Sequence, residues 1–167
     1  MKESNPIKRH NAIVSFSKDH HFGLLLGWKI TQGLKKGISP ERISNYVIYF
    51  FENDLDQHFK EEESLLFTLL PPADPLRKKA EAQHRSIFRI VTAIKANKEQ
   101  TTLLQQLAYE LEEHIRFEER ELFNYIQQQV PVAELEKISS RQTNKSREVE
   151  DAWEDVFWEN SPPSRSL

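Results

Sequence analysis

Apolar residues recur every three or four positions along most of this chain, which is the period of an amphipathic α-helix. Four long stretches show this pattern, and residues that cap or break helices separate them. The stretches predict helices over residues 15–36, 40–70, 75–97 and 102–130. The boundary signals are Ser15 or Ser17 as a cap, Gly37 as a stop, Ser39-Pro40, Pro71-Pro72, Asp74-Pro75, a capping box from Thr102 to Gln105, and Pro131.

The connections between the four predicted helices are short, so consecutive helices should be antiparallel. The sequence therefore predicts an all-α fold, an up-down-up-down four-helix bundle over residues 15–130. An extended lead-in precedes it at residues 1–14, a C-terminal helical extension follows at 131–160, and residues 161–167 are expected to be a disordered tail.

The C-terminal extension holds an unusual group of apolar residues. Within an acidic segment, 146–159, one predicted helix face carries Val149, Trp153, Val156 and Phe157, with Trp158 beside them. Two interpretations remain open. The segment folds back and covers the bundle, or it docks on a protein partner or on a second copy of the chain as a homodimer.

Composition narrows the function classes. The 167 residues are enough for one domain with a sizeable core, and a net charge of -3 gives no bias toward nucleic acid or anionic membranes. No cysteine is present, which excludes disulfides, thiolate metal sites and cysteine catalysis. No apolar run is long enough to span a bilayer, and no secretion signal is evident. We expect a cytoplasmic protein.

Two segments of the chain share the pattern L-x-x-H-x-x-x-E-E-x-x-L-F, at residues 55–67 and 111–123. Because a helix turns once in about 3.6 residues, the His and the Glu four positions later point the same way. Leucines share that face, so an imidazole and a carboxylate occupy positions expected to be core. Glutamate is rarely buried unless it is paired or binds a cation.

Every predicted inward face contains a histidine. The faces are Ile13, Phe16, His20, Leu24, Gly27, Thr31 and Leu34 in the first helix; Val47, Phe51, Leu55, His58, Glu62, Leu66 and Leu69 in the second; Ala80, His84, Ile87, Val91 and Ile94 in the third; and Leu104, Leu107, Leu111, His114, Glu118, Leu122 and Tyr125 in the fourth. In a bundle such residues converge at one level. The predicted metal ligands are therefore His20, His58, Glu62, His84, His114 and Glu118.

Four imidazoles and two carboxylates suit one or two transition-metal ions. Carboxylates can bridge two ions, and two six-coordinate ions have about twelve ligand positions. About four positions would remain for a bridging oxo or hydroxo group and a small exogenous ligand, which indicates a reactive site rather than a closed structural one.

Some assignments stay open at this stage. His21 competes with His20, because it shares a face with Leu25 and Trp28. A single histidine in a core position, such as His84, is usually not a metal ligand. We predict His84 as a ligand only because it belongs to the set of six residues. Glu81 is a candidate hydrogen-bond partner for His84, since metal-bound histidines usually donate their second N–H to a carboxylate or carbonyl.

The ordered set Asp19-His20, His58-x-x-x-Glu62, His84 and His114-x-x-x-Glu118 resembles the hemerythrin-like (HHE) cation-binding domain over about residues 10–130. The resemblance implies a non-haem di-iron centre with a bridging oxygen. It also implies functions in oxygen binding, in oxygen, nitric oxide or iron sensing, in iron handling, or in repair of iron–sulfur centres. Dioxygen or nitric oxide would be the small ligand.

The chain departs from the oxygen carriers of that family at two places. Carriers have a second histidine four residues after the third-helix His, where this chain has Phe88, and their last carboxylate follows its His by five residues, a place that Glu119 would fill. The chain is thus more similar to the sensor and repair branch. Ferritin-type proteins fit less well, because they need two E-x-x-H motifs and only Glu81-x-x-His84 is present.

A rival hypothesis is a non-catalytic helical interaction module whose metal site is structural or vestigial. Nothing in the sequence decides whether the protein is an enzyme.

Overall fold

The computed structural model describes residues 8–138 and 144–159, and all regular structure within those ranges is helical. The predicted all-α class is confirmed. We number the helices α1 (Asn11–Lys35), α2 (40–69), α3 (Pro75–Ala96), α4 (101–129), α5 (Val132–Glu136) and α6 (Ser146–Asp151). None of the helices in the described ranges combines the length and the hydropathy needed to cross a bilayer.

Several boundaries fall where the capping signals predict them. Gly37 ends α1 with a φ of 71°, a left-handed conformation that favours glycine. Pro40 occupies the first turn of α2. Asp74 caps α3, because its side chain accepts hydrogen bonds from the backbone N–H groups of Leu76 and Arg77.

Two helix starts differ from the prediction. Helix α1 begins at Asn11 rather than at Ser15 or Ser17, because the ring Nδ1 of His10 accepts a hydrogen bond from the backbone N–H of Ala12. The last four residues of the expected lead-in are thus helical. Helix α4 begins at Thr101, so Thr102 lies inside the helix and does not cap it. Residues 1–7 and the expected tail 161–167 lie outside the described residues.

Helices α2 and α4 are not uniform α-helices. Helix α2 consists of an α-helix at Pro40–Phe50, a π-helical turn at Phe51–Leu55, an α-helix at Asp56–Glu61, a second π-helical turn at Glu62–Leu66 and a 3₁₀ turn at Phe67–Leu69. Helix α4 consists of α-helices at Thr101–Phe117 and Phe123–Gln129 around a π-helical turn at Glu118–Leu122. One π-helical turn therefore begins at each glutamate of the predicted metal site.

These π-helical turns change which residues face the core. Each turn is closed by a backbone bond spanning five residues, such as the one from Phe67 N–H to Glu62 C=O, and so holds one residue more than an α-helical turn. Beyond the turn, the inward face is shifted by one position. Leu70 and Ile126 are buried where the 3.6-residue period predicted Leu69 and Tyr125, which are partly exposed.

The inward face of α1 is also different from the prediction beyond His20. It continues through Gly23, Leu26, Ile30 and Gly33, whereas Leu24 is 45% exposed and points outward with Thr31. Glycines face inward because neighbouring helices approach closely there. A Cβ atom on Gly33 would lie 2.8 Å from Ile43 Cδ1 of α2.

Contacts between consecutive helices pair late residues of the first with early residues of the second, and early residues of the first with late residues of the second. Examples are Gly33–Ile43 and Asp19–His58 between α1 and α2, and Ser86–Glu110 and Lys79–Phe117 between α3 and α4. The helices of each pair therefore run in opposite directions where they touch.

The apolar core is divided into two clusters. One contains Ile30, Val47 and Phe157, and the other contains Phe16, Leu66 and Ile126. Buried polar residues, described in the next subsection, occupy the level between them. Apolar packing therefore covers the polar layer from above and below.

The C-terminal extension packs on the bundle. Its helix α6 ends at Asp151 instead of continuing to 159, and the residues that follow place Phe157 (0% exposed) and Trp158 (9%) in the core beside Tyr46. The buried ammonium group of Lys29 lies 3.7 Å from the Trp158 ring centroid and 2.9 Å from the Tyr46 hydroxyl. This arrangement supports the interpretation that the segment covers the bundle. Docking of residues 146–159 on a partner stays an untested prediction.

We expect Phe157→Ala to lower the free energy of unfolding by about 3–5 kcal/mol, because it removes a fully buried ring. Val132→Ala is the matched control: its side chain is 59% exposed, so the change should be within about 0.5 kcal/mol. Urea unfolding of the two variants measures both values. Equal effects would show that the extension does not contribute to the core.

Candidate metal centre

The polar layer between the two apolar clusters contains all six residues predicted as ligands. Helices α1 and α3 each supply one histidine, and α2 and α4 each supply a histidine and a glutamate four residues later. The six are buried: His20 4%, His58 5%, Glu62 0%, His84 4%, His114 0% and Glu118 0% exposed. Their nitrogen and oxygen atoms form two groups that could each hold a metal ion, Glu62–His84–His114–Glu118 and His20–His58–Glu62.

The imidazole Nε2 atoms point toward the two carboxylates. Glu62 Oε1 lies 3.1 Å from His58 Nε2 and 3.3 Å from His84 Nε2. Glu118 Oε1 lies 2.6 Å from His114 Nε2 and 3.4 Å from His20 Nε2. Each glutamate thus stands between histidines from two different helices.

The Nδ1 atom on the other side of each ring donates to an oxygen acceptor. The four pairs are His20–Glu119 (2.6 Å), His58–Asp19 (3.1 Å), His84–Glu63 (3.0 Å) and His114–Gln83 (2.7 Å). A carboxylate oxygen and the amide oxygen of Gln83 can only accept, so Nδ1 carries the proton and leaves the Nε2 lone pair available to a metal. Such outer partners are typical of metal-binding histidines.

These four hydrogen bonds form a closed ring, which we call the outer ring. Asp19 of α1 holds the histidine of α2, Glu63 of α2 holds that of α3, Gln83 of α3 holds that of α4, and Glu119 of α4 holds that of α1. Each helix therefore orients a predicted ligand on its neighbour.

The outer ring corrects one expectation and answers two open choices of placement. Glu81 pairs with Arg77 at 3.4 Å, and Glu63 takes the place next to His84 that we expected for Glu81. His20, not the exposed His21, lies in the cluster. Glu118 faces the Nε2 atoms, whereas Glu119 lies behind His20.

The structure also locates residues to which sequence reasoning gave no role. Glu63 and Gln83 were missed, although each is the immediate neighbour of a predicted ligand. Phe88, at the position where the resemblance expects oxygen carriers to have a second histidine, is 54% exposed, and its ring centroid lies 6.0 Å from that of Phe51. The signal available in the sequence was a polar residue directly beside a predicted ligand, Glu63 beside Glu62 and Gln83 beside His84.

Several atoms of the cluster form no hydrogen bond with the described residues. They are the two carboxylate oxygens of Glu62, the two carboxylate oxygens of Glu118, and the Nε2 atoms of His20 and His58. The nitrogen and oxygen atoms are close to one another, but the angles between them are not those of a hydrogen bond. A buried carboxylate without a hydrogen bond is costly, and a bound cation removes the cost. The donor set of imidazole nitrogens and carboxylate oxygens fits a transition metal.

Without a cation, protons would have to supply the positive charge. Burial by itself lowers the pKa of His20, but the neighbouring carboxylates of Glu118 and Glu119 outweigh it and raise the pKa to about 9. Burial likewise lowers the pKa of His84, and Glu62 and Glu63 raise it to about 9. Burial raises the pKa of Glu118, yet the charge of His114 holds it well below its usual value. Metal and protons thus compete for the same imidazoles.

Comparison with known protein families gave a match. The family model of the hemerythrin HHE cation binding domain matches residues 24–126, more than half of the chain. Five of the six clustered residues lie inside the matched range, and His20 lies four residues before it. Neither the search of curated proteins nor the search of solved structures found a match.

We expect the metal-free protein to lose stability as the pH rises from 6.5 to 9. The pKa values of His20 and His84 are raised from 6.5 to about 9 in the folded state, so the folded chain binds more protons than the unfolded chain in this range. Their contribution is complete below pH 6.5 and is lost as the pH passes through 9. Urea unfolding of chelator-treated protein measures it.

The control for this dependence of stability on pH is His21, the exposed residue next to His20. His21→Gln should keep the slope of the free energy of unfolding against pH, and His20→Gln should reduce it. A stability that does not change from pH 6.5 to 9 would contradict the expectation.

We expect Glu63→Ala to weaken metal binding by about 10-fold or more, because His84 loses the acceptor that orients it. Glu81→Ala should leave the affinity unchanged, since Glu81 pairs with Arg77 instead. A competition titration against a chromophoric chelator compares the two. Equal metal affinities in the two variants would show that Glu63 has no role in the metal site.

Proposed function

Because the chain belongs to the hemerythrin HHE cation-binding domain family, we propose that it holds a non-haem di-iron centre and uses it for small-ligand or iron-redox chemistry. The observation that carries the proposal is the set of buried oxygen and nitrogen atoms that face one another without hydrogen bonds to the described residues. We propose His20, His58, Glu62, His84, His114 and Glu118 as the ligands.

The residues divide naturally between two ions. His20 and His58 lie on one side, and their rings are in edge contact with centroids 5.6 Å apart. His84 and His114 lie on the other side, with Nε2 atoms 3.1 Å apart. Two nitrogen ligands of one ion, each about 2.1 Å away and at right angles, are about 3 Å apart. Glu62 and Glu118 approach histidines of both sides, so each would serve both ions.

Iron is the proposed metal because the donor set contains no thiolate and combines imidazole with carboxylate, which suits iron among other transition metals. Bound iron would supply one-electron redox chemistry and an affinity for dioxygen or nitric oxide. The protein would contribute a dry pocket, fixed imidazole orientations and two negative charges that offset the charge of the ions.

Among functions in this family, we favour sensing of oxygen, nitric oxide or iron, iron handling, or protection against oxidative and nitrosative stress over oxygen transport. The support is Phe88, which lies at the surface where carriers have a further histidine. One fewer imidazole leaves one ion less saturated, which favours exchange of metal and of ligand.

The architecture that fits this proposal is an up-down-up-down bundle of α1 to α4 over about residues 15–130, with the C-terminal extension as a cover. The opposite directions of contacting helices support it. A cytoplasmic location fits the absence of cysteine.

The alternative, a non-catalytic module with a vestigial site, is weakened by the cluster itself. A site that binds no metal would keep Glu62 and Glu118 buried at a cost in stability, and no function would compensate for that cost. The complete outer ring, which is useful only if the Nε2 atoms bind something, also favours a working site.

Elemental analysis of protein purified without chelators or an affinity tag tests the proposal. We expect about two iron ions per chain and a visible absorption band. Glu118→Ala should lose both, and Glu121→Ala, an exposed residue of the same turn, should keep both.

Two results together would contradict the proposal. No transition metal after purification and reconstitution, together with a gain in stability for both Glu62→Ala and Glu118→Ala, would replace the proposal with the non-catalytic module.

A further inference from the structure

The C-terminal extension reaches the outer ring at one point only among the described residues, behind His58. Asp19 accepts from His58 Nδ1 through Oδ2, at 3.1 Å, and its other oxygen, Oδ1, accepts from the side-chain amide of Asn144, also at 3.1 Å. The same Asn144 side chain contacts Ser15 Oγ at 3.3 Å and the Ser15 carbonyl at 3.4 Å. One extension residue thus holds the carboxylate that orients a predicted ligand.

A second extension residue stands beside it. Ser146 is 2% exposed, and its hydroxyl donates to Asp54 Oδ2 at 2.7 Å and lies 3.5 Å from Asp19 Oδ1. Asp19 belongs to α1 and Asp54 to α2, so the hydroxyl fills the space between the two helices. Displacing Ser146 would admit water next to Asp19.

The rest of the extension is attached far from the ring. Its aromatic residues pack at Lys29 and Tyr46, and Asp155 makes two hydrogen bonds with Arg42, at 2.6 and 3.0 Å. The extension therefore has two separable attachments, one that only anchors it and one that touches the support of His58. The other outer acceptors are held differently; Glu119, for instance, contacts Arg9 and Ser17.

We propose that Asn144 and Ser146 are positioning residues for His58, acting through Asp19, so that docking of the extension strengthens binding of the cation on the His20–His58 side. By linkage, binding of that cation strengthens docking of the extension by the same factor. The occupied centre would hold the extension closed, and loss of that cation would favour its release. This inference rests on the proposed metal centre and gives it an output at the protein surface.

The first test measures cation binding by the full-length chain with Co²⁺, whose visible spectrum reports each ion. We expect the double variant Asn144→Ala/Ser146→Ala to bind one of two cobalt ions about 10-fold more weakly and the other with unchanged affinity. The control is Asp155→Ala, which loses a partly exposed ion pair with Arg42 but keeps the buried Phe157 and Trp158; the extension stays docked, and both ions should bind as in the wild type.

The second test does not depend on a metal. In the metal-free protein, ¹⁵N NMR of the imidazoles reports the hydrogen-bonded Nδ1 proton of each ring. The double variant should lose or shift the His58 signal and keep those of His84 and His114, and Asp155→Ala should change none of them.

The third test runs the linkage in reverse. Adding Co²⁺ to the wild type should slow hydrogen exchange of residues 146–158 by about the factor seen in the affinity, and the double variant should lose most of this protection.

The outcomes separate the two proposals. A wild type that binds no Co²⁺ overturns the metal centre and the linkage together. Unchanged cobalt affinities and an unchanged His58 signal in the double variant overturn only the positioning role. An equal loss for both ions, matched by Asp155→Ala, would mean that the extension acts through general stability and would also overturn it.

Discussion

Two carboxylates in a dry interior are the constraint on which the rest of this structure depends. Glu62 and Glu118 are fully buried, and their oxygens form no hydrogen bond with any described residue. Such groups are tolerated only when positive charge stands beside them. Protonated His20 and His84, whose pKa values are raised to about 9, provide it in the metal-free protein, and a metal centre would provide it in their place. The division of the apolar core into two clusters follows, because the charged layer needs apolar packing on both sides to keep water out.

The outer ring explains how four separate helices build one centre. A histidine side chain has two rotatable bonds, and its ring must be held if Nε2 is to face a particular point. Here the residue that holds each ring always comes from the neighbouring helix and lies next to one of the six clustered residues in the chain. The ring is therefore complete only when all four helices are docked in register, so the geometry of the centre depends on the tertiary structure and not on any one motif.

Much of this was predictable from the sequence, for identifiable reasons. Helix period and the repeated His–Glu pattern are local signals, and they located four helices and six clustered residues correctly. The inward face of α1 beyond His20 was not predictable in this way, because glycines such as Gly33 face inward where helices approach, and apolarity favours Leu24. Glu63 was missed because an acidic residue beside a ligand looks like an ordinary solvated position. The docking of Phe157 also depends on tertiary contacts, which no local pattern reveals.

The π-helical turns that begin at Glu62 and Glu118 have a consequence for how a change in chain length would act on this protein. Each contains one residue beyond the α-helical count, as a single-residue insertion into an α-helix would. Removing that residue would turn everything downstream by about 100° while leaving the His–Glu pair upstream in place. The C-terminal ends of α2 and α4, which follow these turns, would then present a different set of side chains to the core. Loss of one residue from either turn would thus change which side chains pack in the core after the turn. The four-residue spacing between His58 and Glu62, or between His114 and Glu118, would stay the same.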